Sequence, residues 1–250
     1  MSNTQLRSPS GPHPDAIIVA HGAPSDPAPQ EAALRALASH VADQLSGWRV
    51  RGATLAAEGA LESALEGMRA PFVYPFFMAE GWFTGTNLPK RLTEAGVKDA
   101  QQLRPYGTDP DLPAVMARTA RRGAQQAGMD TADAVLLIAA HGSGVSRRSA
   151  DSTHEMVAHL SRTSGFARVV AGFIEEPPYL AQVARDTGQA VCLPFFALRA
   201  GHVLYDIPSA LREAGFAGPT LPPIGASDET PAMIASALRR ASEGGDAGEA

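Results

Sequence analysis

The sequence predicts an α/β fold of two tandem, similar lobes, each a four-stranded parallel sheet flanked by helices, with a cleft between the lobes. Three observations predict it: an internal repeat, an alternation of short apolar runs with amphipathic stretches, and runs that are apolar at consecutive positions. DAIIVAHGA at 15–23 matches DAVLLIAAHGS at 133–143 on the His-Gly pair, which sets His21 and His141 120 positions apart. PFFMAEGWFTGTNLP at 75–89 matches PFFALRAGHVLYDIP at 194–208 with a separation of 119, and LRPYGTDPDLPAVMARTARR at 103–122 matches LPPIGASDETPAMIASALRR at 221–240 with a separation of 118. Three blocks in the same order place the boundary in AGMDTAD at 127–133. The lobes then span 15–127 and 133–242, with a loose arm at 1–14 and a tail at 243–250.

Within the second copy, the runs at 134–140, 168–174, 190–196 and 219–224 read as strands. Stretches at 148–163, 177–187, 207–214 and 230–242 read as the helices that follow them. A strand that is apolar on successive residues is covered by helices on both faces, and in such open sheets ligands bind at the carboxyl edge. That edge is where the chemistry-bearing residues fall. His141 follows VLLIAA directly, and Gly142 and Ser143 beside it leave room for a ligand. Glu175 and Glu176 close the second strand, where acidic groups also suit the start of the next helix. His202 lies just beyond the third strand, and Asp206 reads as the N-cap of the helix that begins at Ile207 and Pro208. Position by position, Phe83 stands where His202 does and Asn87, another good cap, stands where Asp206 does. The histidine is therefore not a requirement of the turn. Two imidazoles with one or two carboxylates suit a borderline divalent metal such as Co, Fe or Ni, and imidazole also exchanges protons near neutral pH.

Composition narrows the function classes. The chain has 250 residues, 44% of them apolar, enough for a sizeable core in each lobe. Its net charge of −5 argues against nucleic acid as partner, while a local arginine cluster can still bind a small anion. No apolar run approaches the roughly 20 residues that span a bilayer, and the N-terminal stretch has no secretory pattern, so the cytoplasm is the expected compartment. Cys192, the single cysteine, sits in AVCLPFF and reads as a small core residue. His154 and His159 lie five apart on one helix and do not share a face, and His40 and His13 have no partner in the pattern. Ser143 lacks the G-x-S-x-G elbow of a serine hydrolase.

The motifs AHGS at 140–143, FIEEPP at 173–178, LPFFALRAGHVLYDIPSAL at 193–211 and the endings PYGTDP and PIGASD resemble the CbiX-type chelatases, the sirohydrochlorin cobaltochelatase and ferrochelatase group of class II tetrapyrrole chelatases. The resemblance spans both lobes. It implies insertion of a divalent metal, Co or Fe, into sirohydrochlorin for cobalamin or sirohaem synthesis, with the metal as substrate and no permanently bound cofactor. It places the metal-binding histidines on His141 and His202 and the strand-end carboxylate on Glu175 or Glu176. Ser143, Arg147, Arg148 and Arg199 become candidate contacts to the substrate carboxylates, and Trp82 and Phe83 a candidate apolar wall for the macrocycle. Two departures stand out: Gly144 replaces the usual basic residue after H-G-S, and the first lobe has Phe83, Ala56 and Ala57 where the second histidine and the glutamates would be. The second lobe is thus expected to be the active one. A tetrapyrrole or metal carrier with the same residues and no catalysis is the alternative. Oligomeric state is not legible.

Overall fold

Ala16 to Ala20 and Val135 to Ala140, the two most continuous apolar runs, become the central strands of two parallel sheets. The computed structural model describes residues 13–142 and 148–245. In the first lobe β1 (Asp15–Ala20), β2 (Arg49–Thr54), β3 (Phe72–Pro75) and β4 (Gln101–Gln102) lie in the order β2-β1-β3-β4. In the second, β5 (Val135–Ala140), β6 (Arg168–Phe173) and β7 (Ala190–Pro194) lie in the order β6-β5-β7. Registers correspond, with Ala20 paired to Thr54 and Ala140 to Phe173. The helices are α1 (Pro27–Ala42), α2 (Ala60–Leu65), α3 (Leu88–Glu94), α4 (Leu112–Gln126), α5 (Arg148–Thr163), α6 (Leu180–Arg185), α7 (Ile207–Glu213) and α8 (Thr230–Gly245).

The expected fourth strand of the second sheet is reduced to one bridge, Cys192 to Thr220. Prolines explain the shortening: Pro219, Pro222 and Pro223 have no N–H to donate to a ladder, so pairing stops after the bonds of Cys192 N to Pro219 O and Leu221 N to Cys192 O, both 2.9 Å. Helix α6 likewise starts at Leu180 rather than 177, after Pro177 and Pro178. The residues expected as a loose arm lie outside the description up to residue 12, and those of the tail from 246 onward.

Strand alternation divides the core. Ile17 and Val19 face α2 and α3 through Leu61, Leu65, Leu88 and Leu92, and Leu137, Ala139 and Cys192 face α6 and α7 through Leu180, Ile207 and Leu211. The opposite faces, with Ile18 and Ala20 from one sheet and Leu136, Ile138 and Ala140 from the other, enter a single core that also holds Leu34, Met116, Leu160, Ile234 and Leu238. The two lobes therefore share one interior. Tyr106, fully buried, seals it by donating from its hydroxyl to the carbonyl of Ile224 across the lobes (3.0 Å), with Thr230 Oγ1 at 3.1 Å. Cys192 is a core residue as expected, and burial pushes its thiol up to about 12. No helix among the described residues is long and apolar enough to cross a membrane.

Candidate functional site

Each strand end is held by the same backbone bonds in both lobes. The carbonyl of His141 accepts from Glu175 N at 2.9 Å, and that of His21 from Ala56 N at 2.9 Å. Phe195 N donates to Ala139 O and Phe76 N to Val19 O, both at 2.7 Å. Gly225 N bonds Phe196 O at 3.0 Å where Gly107 N bonds Phe77 O at 2.9 Å, and a Cβ at either glycine would lie 1.9 Å from a backbone oxygen, of Ala197 or Met78. This close approach explains the glycine shared by PYGTDP and PIGASD. Beyond β7 the chain makes a π-helix over His202–Asp206, closed by Ile207 N to His202 O, and the first lobe makes the same turn over Phe83–Asn87, closed by Leu88 N to Phe83 O.

This frame brings His141, Glu175 and His202 together, with one ligand atom from each within 4.8 Å of the others. The imidazole planes are nearly perpendicular, 88° apart, and the two Nε2 atoms are separated by 3.1 Å. The outer nitrogens are both engaged: His141 Nδ1 lies 2.6 Å from the carbonyl of Gly142, and His202 Nδ1 lies 2.6 Å from Asp206 Oδ2. A carbonyl and a carboxylate only accept, so each Nδ1 carries a hydrogen and each ring turns its Nε2, the nitrogen left for a metal, toward the other. Two lone pairs at that distance repel unless a cation joins them. A metal ion bound at ~2.0–2.1 Å to both nitrogens would subtend an angle of about 100°, an ordinary ligand angle. Gly142, at φ +72°, permits the turn after β5, and a Cβ there would meet Glu176 Oε1 at 2.8 Å. Glu176 therefore packs over Gly142 and outside the cluster, so of the two glutamates Glu175 is the one that converges with the histidines.

The first lobe faces His141 of this cluster across an apolar cavity of about 390 Å³ lined by His21, Gln30, Phe77 and Phe83 on one side and His141, Thr153, Phe196 and Leu198 on the other. Phe83 packs tilted against His21, ring centroids 4.3 Å apart, and so occupies the space a second imidazole would use. Trp82 does not line the cavity; it is exposed, with its ring edge on Phe83. Arg199 lines a second cavity behind Phe76, Ala197 and Leu198, and at the first it contributes a backbone carbonyl 3.4 Å from Gln30 Nε2. Ser143 and Arg147 lie outside the described residues, as does the side chain of Arg148.

The N-cap reading of Asp206 and Asn87 is overturned. Both have αR backbone and neither side chain makes a cap bond, because the π-helix runs into α7 or α3 and leaves no free helix start at that residue. Asp206 instead binds His202. A His-x-x-x-Asp spacing on a helical turn was the available signal. Gln30 and Thr153 had none, since α1 and α5 are brought to the cleft only by tertiary packing.

The CbiX family matches residues 135–241. Among solved structures, CbiX described as the terminal enzyme for biosynthesis of sirohaem in denitrifying bacteria is 46% identical, with a TM-score of 0.84 over 91% of this chain and 99% of that one. SirB from Bacillus subtilis with Fe3+ is 17% identical (TM-score 0.73, covering 92% and 98%). The sirohydrochlorin chelatase SirB from Bacillus subtilis subspecies spizizenii, in complex with cobalt, is 15% identical (TM-score 0.71, covering 94% and 98%). These two share the fold. No curated protein matches the chain significantly.

Proposed function

The chain belongs to the CbiX family, and from that premise we propose that it is a chelatase inserting a divalent ion, iron or cobalt, into a sirohydrochlorin-type tetrapyrrole. The observation that carries this is the pair of Nε2 atoms meeting at 3.1 Å beside Glu175, with His141 in the wall of an apolar interlobe cavity. The donor set, two imidazoles and a carboxylate, suits either ion. The ion is a substrate here, and no resident cofactor is proposed.

Insertion replaces two ring N–H protons with the metal, so a divalent ion and the neutral macrocycle yield the metallated ring and two protons. As the ion passes from the histidines to the ring, their Nε2 lone pairs are released beside the departing protons. One proton fits between nitrogens 3.1 Å apart, and the Glu175 carboxylate is placed to take the second. Phe83, Phe77 and Phe196 offer flat apolar surface to the macrocycle, while Arg147 and Arg148, which follow His141 closely in sequence, are proposed for its carboxylates. The test is absorption spectroscopy of sirohydrochlorin with Co(II) or Fe(II) and the protein, against the uncatalysed rate. Faster insertion is expected, and the ratio of the two metal rates would separate a sirohaem from a cobalamin role. Binding of the tetrapyrrole without faster insertion would make the protein a carrier.

A further inference from the structure

We propose that Asp206 is a positioning residue that fixes the tautomer and orientation of His202, so that Nε2 meets the incoming metal as a ready lone pair. The inference rests on the chelatase reading for its purpose, but its geometry stands apart. Asp206 Oδ2 lies 2.6 Å from His202 Nδ1, the short distance of a charge-assisted hydrogen bond. It is the one side-chain partner of Asp206 among the described residues, because the neighbouring Arg185 is held by Glu213 at 2.7 Å.

The pair has the i and i+4 spacing at which side chains meet on a helical turn. In an α-helix residue i+4 stands about 40° past residue i, at 3.6 residues per turn. The turn here is closed by Ile207 N to His202 O, and residues 202 and 206 remain neighbours on it. The first lobe supplies the control. Its π-helix over Phe83–Asn87 forms with a phenyl ring and a carboxamide at the same two positions, which make no such bond. The Asp206–His202 bond is therefore not what holds the turn. It is present only where the histidine is, which is the pattern of an outer partner that orients a ligand and raises its basicity.

His141 differs in kind. Its Nδ1 partner is the carbonyl of Gly142, fixed by the strand-end backbone, which no side-chain change removes. His202 sits on a half-exposed turn, and its orientation depends on a side chain that can be changed.

Two variants test the assignment, Asp206→Ala and the isosteric Asp206→Asn, whose carboxamide can donate to Nδ1 as well as accept from it. In protein labelled with 15N-histidine, at a pH where the imidazoles are neutral, wild-type His202 should show a protonated Nδ1 and a bare Nε2. Both variants should gain the Nε2-protonated form. Affinity for Co(II) alone, read by titration, should fall about 10- to 100-fold in each, the usual loss when an outer partner of a ligand is removed. Tetrapyrrole binding without metal should stay as in wild type. An unchanged tautomer in both variants, or unchanged Co(II) affinity, would overturn the proposal, as would a lowered unfolding temperature with the tautomer intact. A wild-type protein that fails to insert metal would defeat the chelatase reading while the tautomer result still decides on Asp206.

Discussion

His21 and His141 end equivalent strands, and their carbonyls receive the same hydrogen bond at the same distance, yet among the described residues only His141 has other metal-ligating side chains around it. In the second lobe Glu175 and His202 fill the two positions beside it. In the first, Ala56 leaves one empty and Phe83 closes the other by packing against His21. Backbone and site chemistry are therefore separable in this fold: the strand ends, the π turn and the glycine contact persist in both lobes, and side chains at two positions make the difference. The first lobe keeps the cleft apolar and the second supplies the donors.

The largest test of that contrast is the pair His202→Ala and His21→Ala. The first should reduce Co(II) insertion by more than the ~10- to 100-fold that loss of an outer partner costs, and the second by no more than a few-fold, both measured as initial rates. Equal losses would break the one-active-lobe description. Glu175→Gln and Glu176→Gln come next. Glu175→Gln should lower Co(II) affinity about 10-fold or more, while Glu176→Gln, which alters packing over Gly142, should leave affinity nearly unchanged in the same titration.

A constructive test grafts Ala56→Glu and Phe83→His into the first lobe. Because the backbone bonds there already match, Co(II) stoichiometry should rise from one to two per chain, and a ratio that stays at one would show that the shared frame is not sufficient. The smallest effect is expected at the seam. Tyr106→Phe removes a buried interlobe hydrogen bond, at about 1 kcal/mol, and should lower the unfolding temperature by about 2–4 °C without changing Co(II) affinity.

Much of this was legible before folding. The repeat exposed two lobes, and the apolar runs VLLIAA and AVCLPFF became β5 and β7 because burial on both faces leaves no polar position. The mismatch of Phe83 with His202 pointed to one site rather than two. The fourth strand of the second lobe is short because a parallel strand next to prolines loses its donors, which an apolar pattern does not register. Asp206 departs from a cap for a related reason. An acidic residue before Ile-Pro has the composition of a cap, and the π turn that removes the free helix start involves backbone bonds no local pattern displays.

The amino-acid sequence by itself determined the duplicated α/β plan, the strand-end histidines and which lobe carries both, since these follow from periodicity and position in a repeat. Only the tertiary structure decided which glutamate joins them, that Arg199 belongs to a second cavity, and that Asp206 serves His202. The physical reason is distance. Periodicity assigns a side chain to a face or an edge, but ligation and hydrogen bonding are settled within 3 to 5 Å, and that scale is set by how the sheets, turns and shared core pack together.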